Sequence, residues 1–354
     1  MRRLIMTATA VAAVAALAAC GSSSGGTSSG GAKAAPLIGS DYPRSDTDFW
    51  NAYIRYTPQE AKSLGITNLK TTNSENDVSK LASNVQTLLS QGAKGIVMAP
   101  QDTAAIAPTL AQLETKKIPV VTIDTRPDQG NVFMVVRADN RAYGEKACQF
   151  LGTSLKGKGK VAMLEGDLAS INGRDRTEAF NECMKKDFPA IKVFGIPTKW
   201  DGAVAASKLQ TTLTANPDLK GVYMQASFAL AGTKQVLKQK GLLVGPDDPK
   251  HVFVVSNDGI PEELTDIEAG TIDATVSQPA DLYAKYGIDY VAAAAEGKTF
   301  KPGPTDHDSN IIQVRPGLLE DQLAAPLVTR DGGTYGTEQS VKFDDKSLWG
   351  NNLK

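Results

Sequence analysis

The sequence is poor in the residues that build catalytic and metal sites. Among its 354 residues there are only three cysteines and two histidines, His251 and His307. No cysteine and histidine spacing matches a zinc site, and no Gly-x-Ser-x-Gly elbow marks a nucleophilic serine. The segment 152–158 matches the opening of a phosphate-binding loop, but Gly159 stands where that loop needs Ser or Thr. We therefore predict no catalytic residue, no bound metal and no cofactor.

An excess of charge of either sign is also missing. The chain has 38 basic and 39 acidic residues and a net charge of −1. No block of basic residues favours nucleic acid as a partner. After Cys20, no uncharged stretch is long enough to cross a membrane, so we expect a soluble globular body. An exported hydrolase remains an alternative because Asp and Glu are numerous, although nothing singles out a catalytic pair.

The first thirty-five residues have the layout of an export signal followed by a flexible segment. Two arginines precede an uncharged run from 4 to 19, and Leu17-Ala18-Ala19-Cys20 resembles a bacterial lipobox. We predict a signal peptide over 1–19, a lipid on Cys20 and a Gly/Ser-rich leash over 20–35. The protein would then be extracytoplasmic and lipid-anchored, on the periplasmic or cell-surface side. A spanning anchor and plain secretion are alternatives, but sixteen residues fall short of the ~20 that span a bilayer.

From residue 36 onward, short apolar runs alternate with longer helical patterns. Runs such as 95–99 and 120–124 are rich in Val and Ile without polar alternation, which is typical of strands buried on both faces. The residues left after removal of 1–19 are enough for two domains of ~150 residues each. The rhythm of strand and helix predicts an α/β fold with doubly wound parallel sheets covered by helices.

Polar and aromatic side chains follow the strands where open parallel sheets bind their ligands. The candidate ligand-binding residues are Asp48, Phe49, Trp50, Asp124, Arg126, Asn140, Arg174, Trp200, Gln225, Asn257, Asp258 and Gln278. Amides, carboxylates and guanidinium groups can each bond two neighbouring hydroxyls, and an aromatic face covers the C–H side of a sugar. The set therefore predicts a ligand rich in hydroxyl groups.

Several candidates have a purely structural alternative. Asp124 and Asp258 are each suited to capping a helix, and Trp50 is suited to a hydrophobic core. Arg174 could pair with a carboxylate on its own helix. Asn140 is as suited to capping the helix over 141–155 as to contacting a ligand.

Nine short motifs, in this order, resemble the type I periplasmic sugar-binding proteins, and specifically their ribose-binding group. The likeness covers about residues 36–315. The motifs are Thr47-Asp48-Phe49-Trp50, the segment 95–100, the segment 118–124, Ala138-Asp139-Asn140, Arg174-Asp175-Arg176 with Glu178 and Phe180, Trp200-Asp201, the segment 222–225, the segment 257–261 and the segment 274–279.

The resemblance implies two doubly wound parallel-sheet lobes joined by a hinge of three crossings, with a sugar bound between them. The N-terminal lobe would comprise 36–137 plus 279–309, and the C-terminal lobe 138–278 plus 310–354. The crossings would fall near Ala138, Gln278 and Asn310. The tail beyond Arg315 is predicted to form a loop and a final turn packed on a lobe, and we assign it no function.

The resemblance also implies roles for individual residues. Aromatic side chains from both lobes would sandwich the sugar, namely Phe49, Trp50 and Trp200. A carboxylate, an arginine and two hinge-side groups would bind its hydroxyls, namely Asp124, Arg174, Asp258 and Gln278. The sequence departs from ribose binders at Thr125, at Ala226 and Ser227, and at Ala99. These departures remove polar groups, so we expect another pentose, a hexose or a sugar alcohol in place of ribose.

Two cysteines remain after the predicted signal peptide. Outside the cytoplasm, a pair is more often bridged than free, and two buried thiols are the alternative. The resemblance places Cys148 and Cys183 on neighbouring helices of the C-terminal lobe, which makes a disulfide feasible.

The resemblance implies a binding protein, without enzymatic activity, that delivers a sugar or sugar alcohol to an ABC permease and its ATPase. We expect it to act as a monomer. The alternatives are a receptor of the same fold for a nucleoside or a signalling sugar derivative, and a sensor that feeds a membrane kinase. A DNA-binding repressor of related fold would need a helix-turn-helix where this chain has residues 1–35.

Overall fold

The computed structural model describes residues 36–353. The predicted signal peptide, the predicted lipidation site Cys20 and the predicted leash up to residue 35 lie outside the described residues. Within residues 36–353, no helix is both long enough and apolar enough to cross a membrane.

The described residues form an alternation of strands and helices. The strands, in chain order, are Leu37–Tyr42 (β1), Thr67–Asn68 (β2), Thr72–Asn73 (β3), Gly95–Met98 (β4), Val120–Ile123 (β5), Met134–Ala138 (β6), Lys158–Glu165 (β7), Ala190–Pro197 (β8), Gly221–Met224 (β9), Phe253–Asp258 (β10), Ala274–Ser277 (β11), Gly303–Pro304 (β12), Asn310–Arg315 (β13), Leu318–Leu323 (β14), Leu327–Thr329 (β15), Gly333–Tyr335 (β16) and Glu338–Lys342 (β17). The helices are Asp48–Ser63 (α1), Val78–Ser90 (α2), Ala107–Thr115 (α3), Asn140–Ser154 (α4), Ile171–Asp187 (α5), Gly202–Ala215 (α6), Leu230–Gln239 (α7), Pro261–Ala269 (α8), Ala280–Ala295 (α9) and Trp349–Asn352 (α10).

The strands form two sheets, and each sheet is the centre of one lobe. The first sheet has the order β12-β13-β14-β6-β5-β4-β1-β2, with β3 also paired to β1, and the second has the order β16-β17-β15-β11-β10-β9-β7-β8. The central pairs are parallel, and antiparallel pairs lie toward the edges. Strands β4, β5 and β9 are buried along their whole length, as expected for apolar runs covered by helices on both faces. The predicted two-lobed α/β fold is confirmed.

The chain passes three times between the sheets, and the third passage differs from the expected one. It crosses after β6, after β11 and between β14 and β15. The family resemblance implied a third crossing near Asn310 and assigned residues 310–354 to the C-terminal lobe. Strand β14 instead pairs in parallel with β6, and β13 pairs antiparallel with β14, so residues 310–323 extend the first sheet. Buried Glu320 of β14 also accepts a hydrogen bond from Arg126 of the first lobe, at 2.9 Å.

The two cysteines of the described chain are joined by a disulfide. Cys148 lies on α4 and Cys183 on α5, and their Cα atoms are 6.2 Å apart. Both helices cover the second sheet, and Gly144 lets them approach closely, because a Cβ there would lie 2.5 Å from the carbonyl oxygen of Arg176. The disulfide therefore fixes a tight helix pair in the second lobe.

Candidate functional site

A small cavity of about 40 Å³ lies between the lobes, at the carboxyl ends of the strands of both sheets. The first lobe contributes Arg44, Thr47, Phe49, Trp50, Gln101 and Asp124 to the lining. The second lobe and the hinge contribute Asn172, Arg176, Trp200, Ala226, Ser227, Phe228, Asp258 and Gln278.

Aromatic rings line the cavity from both lobes. Phe49 and Trp50 lie in the first turn of α1, with their rings 5.3 Å apart and edge-on, and Thr47 caps that helix by accepting from the Trp50 amide. On the other side, Trp200 meets Phe228 edge-on at 5.6 Å. Gly166 is required beneath Trp200, because a Cβ there would lie 2.1 Å from the indole ring. The cavity thus has two apolar walls, as a sugar ring or an extended carbon chain needs.

Asp124 follows β5 in the left-handed backbone region, with φ of 63°. Its Oδ2 accepts a hydrogen bond of 2.9 Å from Asn172 of the other lobe. Its Oδ1 is buried and has no hydrogen-bond partner among residues 36–353. Burial raises the pKa of this carboxyl to about 7, although the nearby cations Arg176 and Arg137 act to lower it. A buried acceptor without a partner is costly, so this oxygen is suited to a hydroxyl of a ligand.

Asp258 ends β10 and is bound by other protein groups. Its Oδ2 accepts from the amide and the hydroxyl of Ser227, at 2.8 and 2.6 Å, and its Oδ1 accepts from the Gln278 amide at 2.6 Å. Burial raises its pKa, while Arg176 and these hydrogen bonds oppose the rise. The other atom of the Gln278 amide, Oε1, is buried and unpartnered within the described chain. The Gln278 side-chain oxygen is therefore a free acceptor among the described residues, and it lies beside the Asp258 carboxylate, which the protein itself orients.

Arg176 is the buried arginine of the cavity lining. Its Nε donates to Asn140 at 2.7 Å, and one terminal nitrogen donates to the backbone carbonyl of Gln225. Its guanidinium carbon lies 4.9 Å from the centre of the Tyr143 ring and 5.9 Å from that of Trp200. The side chain is only 2% exposed, and it opposes the pKa rise of both cavity carboxylates. It therefore supplies the positive charge that balances them.

The comparisons with known proteins agree with this architecture. The family model of the periplasmic binding protein domain matches residues 38–299. The D-allose-binding periplasmic protein of Escherichia coli is 30% identical over 67% of this chain and 77% of its own length. The xylitol-binding protein of Mycolicibacterium smegmatis is 26% identical over 76% of each. A solved ABC transporter solute binding protein from Mycobacterium smegmatis with bound glycerol is 28% identical, with a TM-score of 0.69 over 75% of this chain and 90% of its own.

The chain belongs to the periplasmic binding protein family. The predicted resemblance to type I periplasmic sugar-binding proteins of ABC importers is confirmed. The relatives are solute-binding proteins of transporters, so the prediction that the chain is not an enzyme is also confirmed. The family places the protein outside the cytoplasm.

Six of the candidate residues line the cavity of this binding protein, namely Phe49, Trp50, Asp124, Trp200, Asp258 and Gln278. Neither aspartate caps a helix, because β6 is the next element after Asp124, and α8 begins after Ile260. Trp50, proposed as a core residue in the alternative, is buried and also borders the cavity.

Two candidate arginines do not line the cavity. Arg174 is 30% exposed in its side chain and pairs with Asp128 of the first lobe at 2.6 Å. It therefore bridges the lobes at the rim, and its partner is not a carboxylate of its own helix. Arg126 is bound to Glu320 at 2.9 Å. Both guanidinium groups are engaged by carboxylates away from the cavity.

The other candidates lie behind or outside the cavity lining. Asn140 orients Arg176 and begins α4, whereas Asp139 caps that helix by accepting from the Arg141 amide. Gln225 bonds the Gly166 amide, and Asn257 bonds the carbonyl of Gln225. These buried amides support the cavity residues. Asp48 is exposed in the first turn of α1.

Several residues that line the cavity were not among the ligand-binding residues predicted from the sequence, namely Arg44, Thr47, Gln101, Asn172, Arg176 and Phe228. Arg176 carried a usable signal, because Phe180 and Cys183 lie four and seven residues later on one helix face. Side chains two residues apart point in different directions on a helix, so Arg174 and Arg176 cannot share that buried face. Arg44 and Gln101 lie in loops, where the sequence gives no such periodicity. No cluster of His, Cys, Asp and Glu suited to a metal occurs within the described range.

Proposed function

We propose that this protein is a lipid-anchored receptor that captures a neutral monosaccharide or sugar alcohol between its lobes and delivers it, as a monomer, to an ABC permease and its ATPase. The observation that carries the proposal is a cavity with two aromatic walls and two buried oxygens without partners in the described chain, Asp124 Oδ1 and Gln278 Oε1. Both atoms accept hydrogen bonds, which hydroxyl groups donate.

The charges of the cavity favour a neutral ligand. Asp124 and Asp258 face one buried cation, Arg176, while Arg44 is engaged with Asp46 at 2.7 Å. Among the described residues that line the cavity, no unpaired positive charge is left for the phosphate or carboxylate of an acidic sugar, and such a group would meet two carboxylates. A polyol supplies donors and carries no charge.

The relatives support the same ligand class. The names of two relatives specify D-allose and xylitol, and the structure with 28% identity holds glycerol. These ligands share vicinal hydroxyl groups on a short carbon skeleton. We therefore infer a ligand of this kind, either a sugar or a linear polyol.

Contacts across the cleft support capture by closure of the lobes. Arg44 of the first lobe donates to the carbonyl of Trp200 at 2.6 Å, and Arg174 of the second lobe pairs with Asp128. Asn172 donates to Asp124 across the same cleft. Separation of the lobes would break all three contacts, so their formation accompanies closure.

Isothermal titration calorimetry of the purified protein with xylitol, D-allose, D-ribose, D-arabinose and glycerol tests the ligand class. We expect at least one to bind, and the corresponding sugar phosphates not to bind. A ligand at 100 times its dissociation constant should also raise stability by about 2.7 kcal/mol in a thermal scan. No binding to any carbohydrate or polyol in a broad panel would refute the proposed ligand class.

Fractionation of cells that express the full chain tests the anchor. We expect the protein in the membrane fraction, released by detergent, and a Cys20→Ala variant in the soluble extracytoplasmic fraction. A variant that remains membrane-bound would show that the N-terminal segment, and not a lipid on Cys20, holds the protein.

A further inference from the structure

We propose that Trp349, in the C-terminal tail, is a positioning residue for the ligand site; this inference rests on the proposed function. The tail after β17 ends in the short helix α10, whose first residue is Trp349. The indole is 1% exposed. A buried indole N–H needs a hydrogen-bond acceptor and the buried ring needs packing partners, and the structure provides one partner in each lobe.

The partner in the second lobe is Asp258. The indole Nε1 of Trp349 donates a buried hydrogen bond of 2.9 Å to the backbone carbonyl of Asp258. Asp258 has φ of 112°, in a backbone region that side chains other than glycine rarely adopt. Such a conformation persists only where its surroundings hold it. The indole bond holds the residue whose carboxylate lines the cavity.

Gly350, the next residue of the tail, packs against the backbone that follows Asp258. Gly350 lies so near the carbonyl of Gly259 that a Cβ on it would be 2.2 Å from that oxygen. Gly259 itself has φ of 72°, and its amide donates to the buried carboxylate of Glu263 at 2.7 Å. The tail and α8 therefore contact the backbone of Asp258 and Gly259 from two sides.

The partner in the first lobe is Phe49. The rings of Trp349 and Phe49 meet edge-on with centroids 6.2 Å apart, which is a favourable aromatic geometry. Phe49 lines the cavity from α1. One tail residue thus touches the strand end that bears a cavity carboxylate and the aromatic wall that faces it. Trp349 thereby couples the geometry of Asp258 to the approach of the first lobe.

Two variants separate the two contacts. Trp349→Phe keeps an aromatic ring but removes the donor to Asp258, and Trp349→Ala removes both contacts. Calorimetric titration with xylitol and D-allose should show affinity about tenfold weaker for Trp349→Phe and weaker still for Trp349→Ala. Tyr335→Ala is the control, because Tyr335 is a half-buried aromatic at the end of β16 that contacts Phe150, away from the cavity. Its affinity should equal that of the wild type.

Amide hydrogen exchange of the free protein provides a readout that needs no ligand. The Ser227 amide donates to the Asp258 carboxylate, so Trp349→Phe should speed exchange in segments 226–230 and 258–263 about tenfold, and Tyr335→Ala should not. If the wild type binds no sugar, the proposed function fails, but hydrogen exchange still tests whether Trp349 positions Asp258. If exchange in Trp349→Phe equals that of the wild type, the inference about Trp349 is overturned. Where sugar binds, wild-type affinity in Trp349→Phe also overturns the inference, even with faster exchange, since the role would be structural only.

Discussion

In the second lobe the charged groups at the cavity are held by other protein groups, whereas the facing carboxylate of the first lobe keeps one oxygen unpartnered among the described residues. Arg176 and Asp258 are each bound by at least two protein partners. Among the described residues, the Asp124 carboxylate has a single hydrogen-bond partner, Asn172, and this partner belongs to the opposite lobe. The second lobe is therefore preorganised for a ligand, while the first lobe offers an acceptor that a ligand can satisfy. Substitutions in the two lobes should accordingly separate stability from affinity.

The largest expected effect is on the stability of the second lobe. Arg176→Met removes the buried cation near two buried carboxylates, and a buried charge left without its partner costs about 3–5 kcal/mol. We expect a loss of this size in the free energy of unfolding, measured with urea. Arg141→Met is the matched control, because Arg141 is a partly exposed arginine of α4 whose ion pairs with Glu178 and Glu182 are exposed, and exposed pairs contribute roughly 0–1 kcal/mol. Equal losses in the two variants would contradict the role assigned to Arg176.

The disulfide should produce the next largest effect, and it should be confined to one lobe. Cys148 and Cys183 are separated by 35 residues along the chain, and a disulfide of this kind contributes about 2–4 kcal/mol. Replacement of both cysteines by alanine should lower the stability of the second lobe. Hydrogen exchange should then increase in β7 and β9 and stay unchanged in β4 and β5. A uniform increase in both sheets would show that the lobes unfold as one unit.

Asp124→Asn should lower affinity without lowering stability. The loss of an ionised acceptor should weaken sugar binding at least tenfold, which is about 1.4 kcal/mol. Burial disfavours the ionised form of Asp124, so the neutral amide should leave stability unchanged or raised. Asp258→Asn should reduce both quantities, because this carboxylate accepts three hydrogen bonds within the protein. Titration calorimetry measures the affinity of both variants, and urea unfolding measures their stability. Equal changes of affinity and stability in the two variants would contradict the different roles assigned to Asp124 and Asp258.

The pH dependence of affinity sharpens the same point. Because the pKa of Asp124 is raised to about 7, its carboxyl is mostly protonated at pH 6 and mostly ionised at pH 8. The ionised form is the stronger acceptor for hydroxyl groups, so affinity should rise as the pH increases through this range. Asp124→Asn should have a flat profile over the same range. A wild-type profile that falls with pH would be inconsistent with hydroxyl binding by Asp124.

The smallest expected effect is the pH dependence of stability due to His251 in the second lobe. Its two ring nitrogens face the carbonyl of Val244 at 2.8 Å and the Asp273 carboxylate at 2.9 Å. The Val244 carbonyl and the Asp273 carboxylate both accept hydrogen bonds, so the doubly protonated ring suits this environment. Burial acts to lower the pKa of His251, but the bonds to Asp273 and Val244 and the charge of Asp273 outweigh it, and the pKa is raised. The stabilisation should be complete below the unfolded pKa of ~6.5 and be lost as the pH rises through the higher folded value.

Urea unfolding of the wild type and of His251→Gln at several pH values measures the contribution of His251 to stability. The variant should lack the loss of stability above the unfolded pKa that the wild type shows. Hydrogen exchange should place the change in β10, next to His251, and not in the first sheet. A wild type whose stability rises across this range relative to His251→Gln would reverse the predicted sign.

The candidate site was predictable where a residue directly follows a buried strand. Asp124 and Gln278 directly follow strands and Asp258 is the last residue of one, and all three line the cavity. The prediction was weaker on helices, where it chose Arg174, although the spacing of Phe180 and Cys183 favours Arg176 for the buried face of α5. It was weakest for the tail, where Trp349 finds its partners through contacts far away in the sequence.

The sequence by itself determined the alternation of strand and helix, the parallel character of the central strands and the edge at which polar residues gather. These properties follow from local apolar patterns and from chain direction, which neighbouring residues encode. Only the tertiary structure decided that residues 310–323 join the first sheet, that Arg176 enters the cavity in place of Arg174, and that Trp349 supports Asp258. The physical reason is that edge pairing, helix rotation and tail docking depend on distant partners, whose positions are fixed only when the lobes are packed.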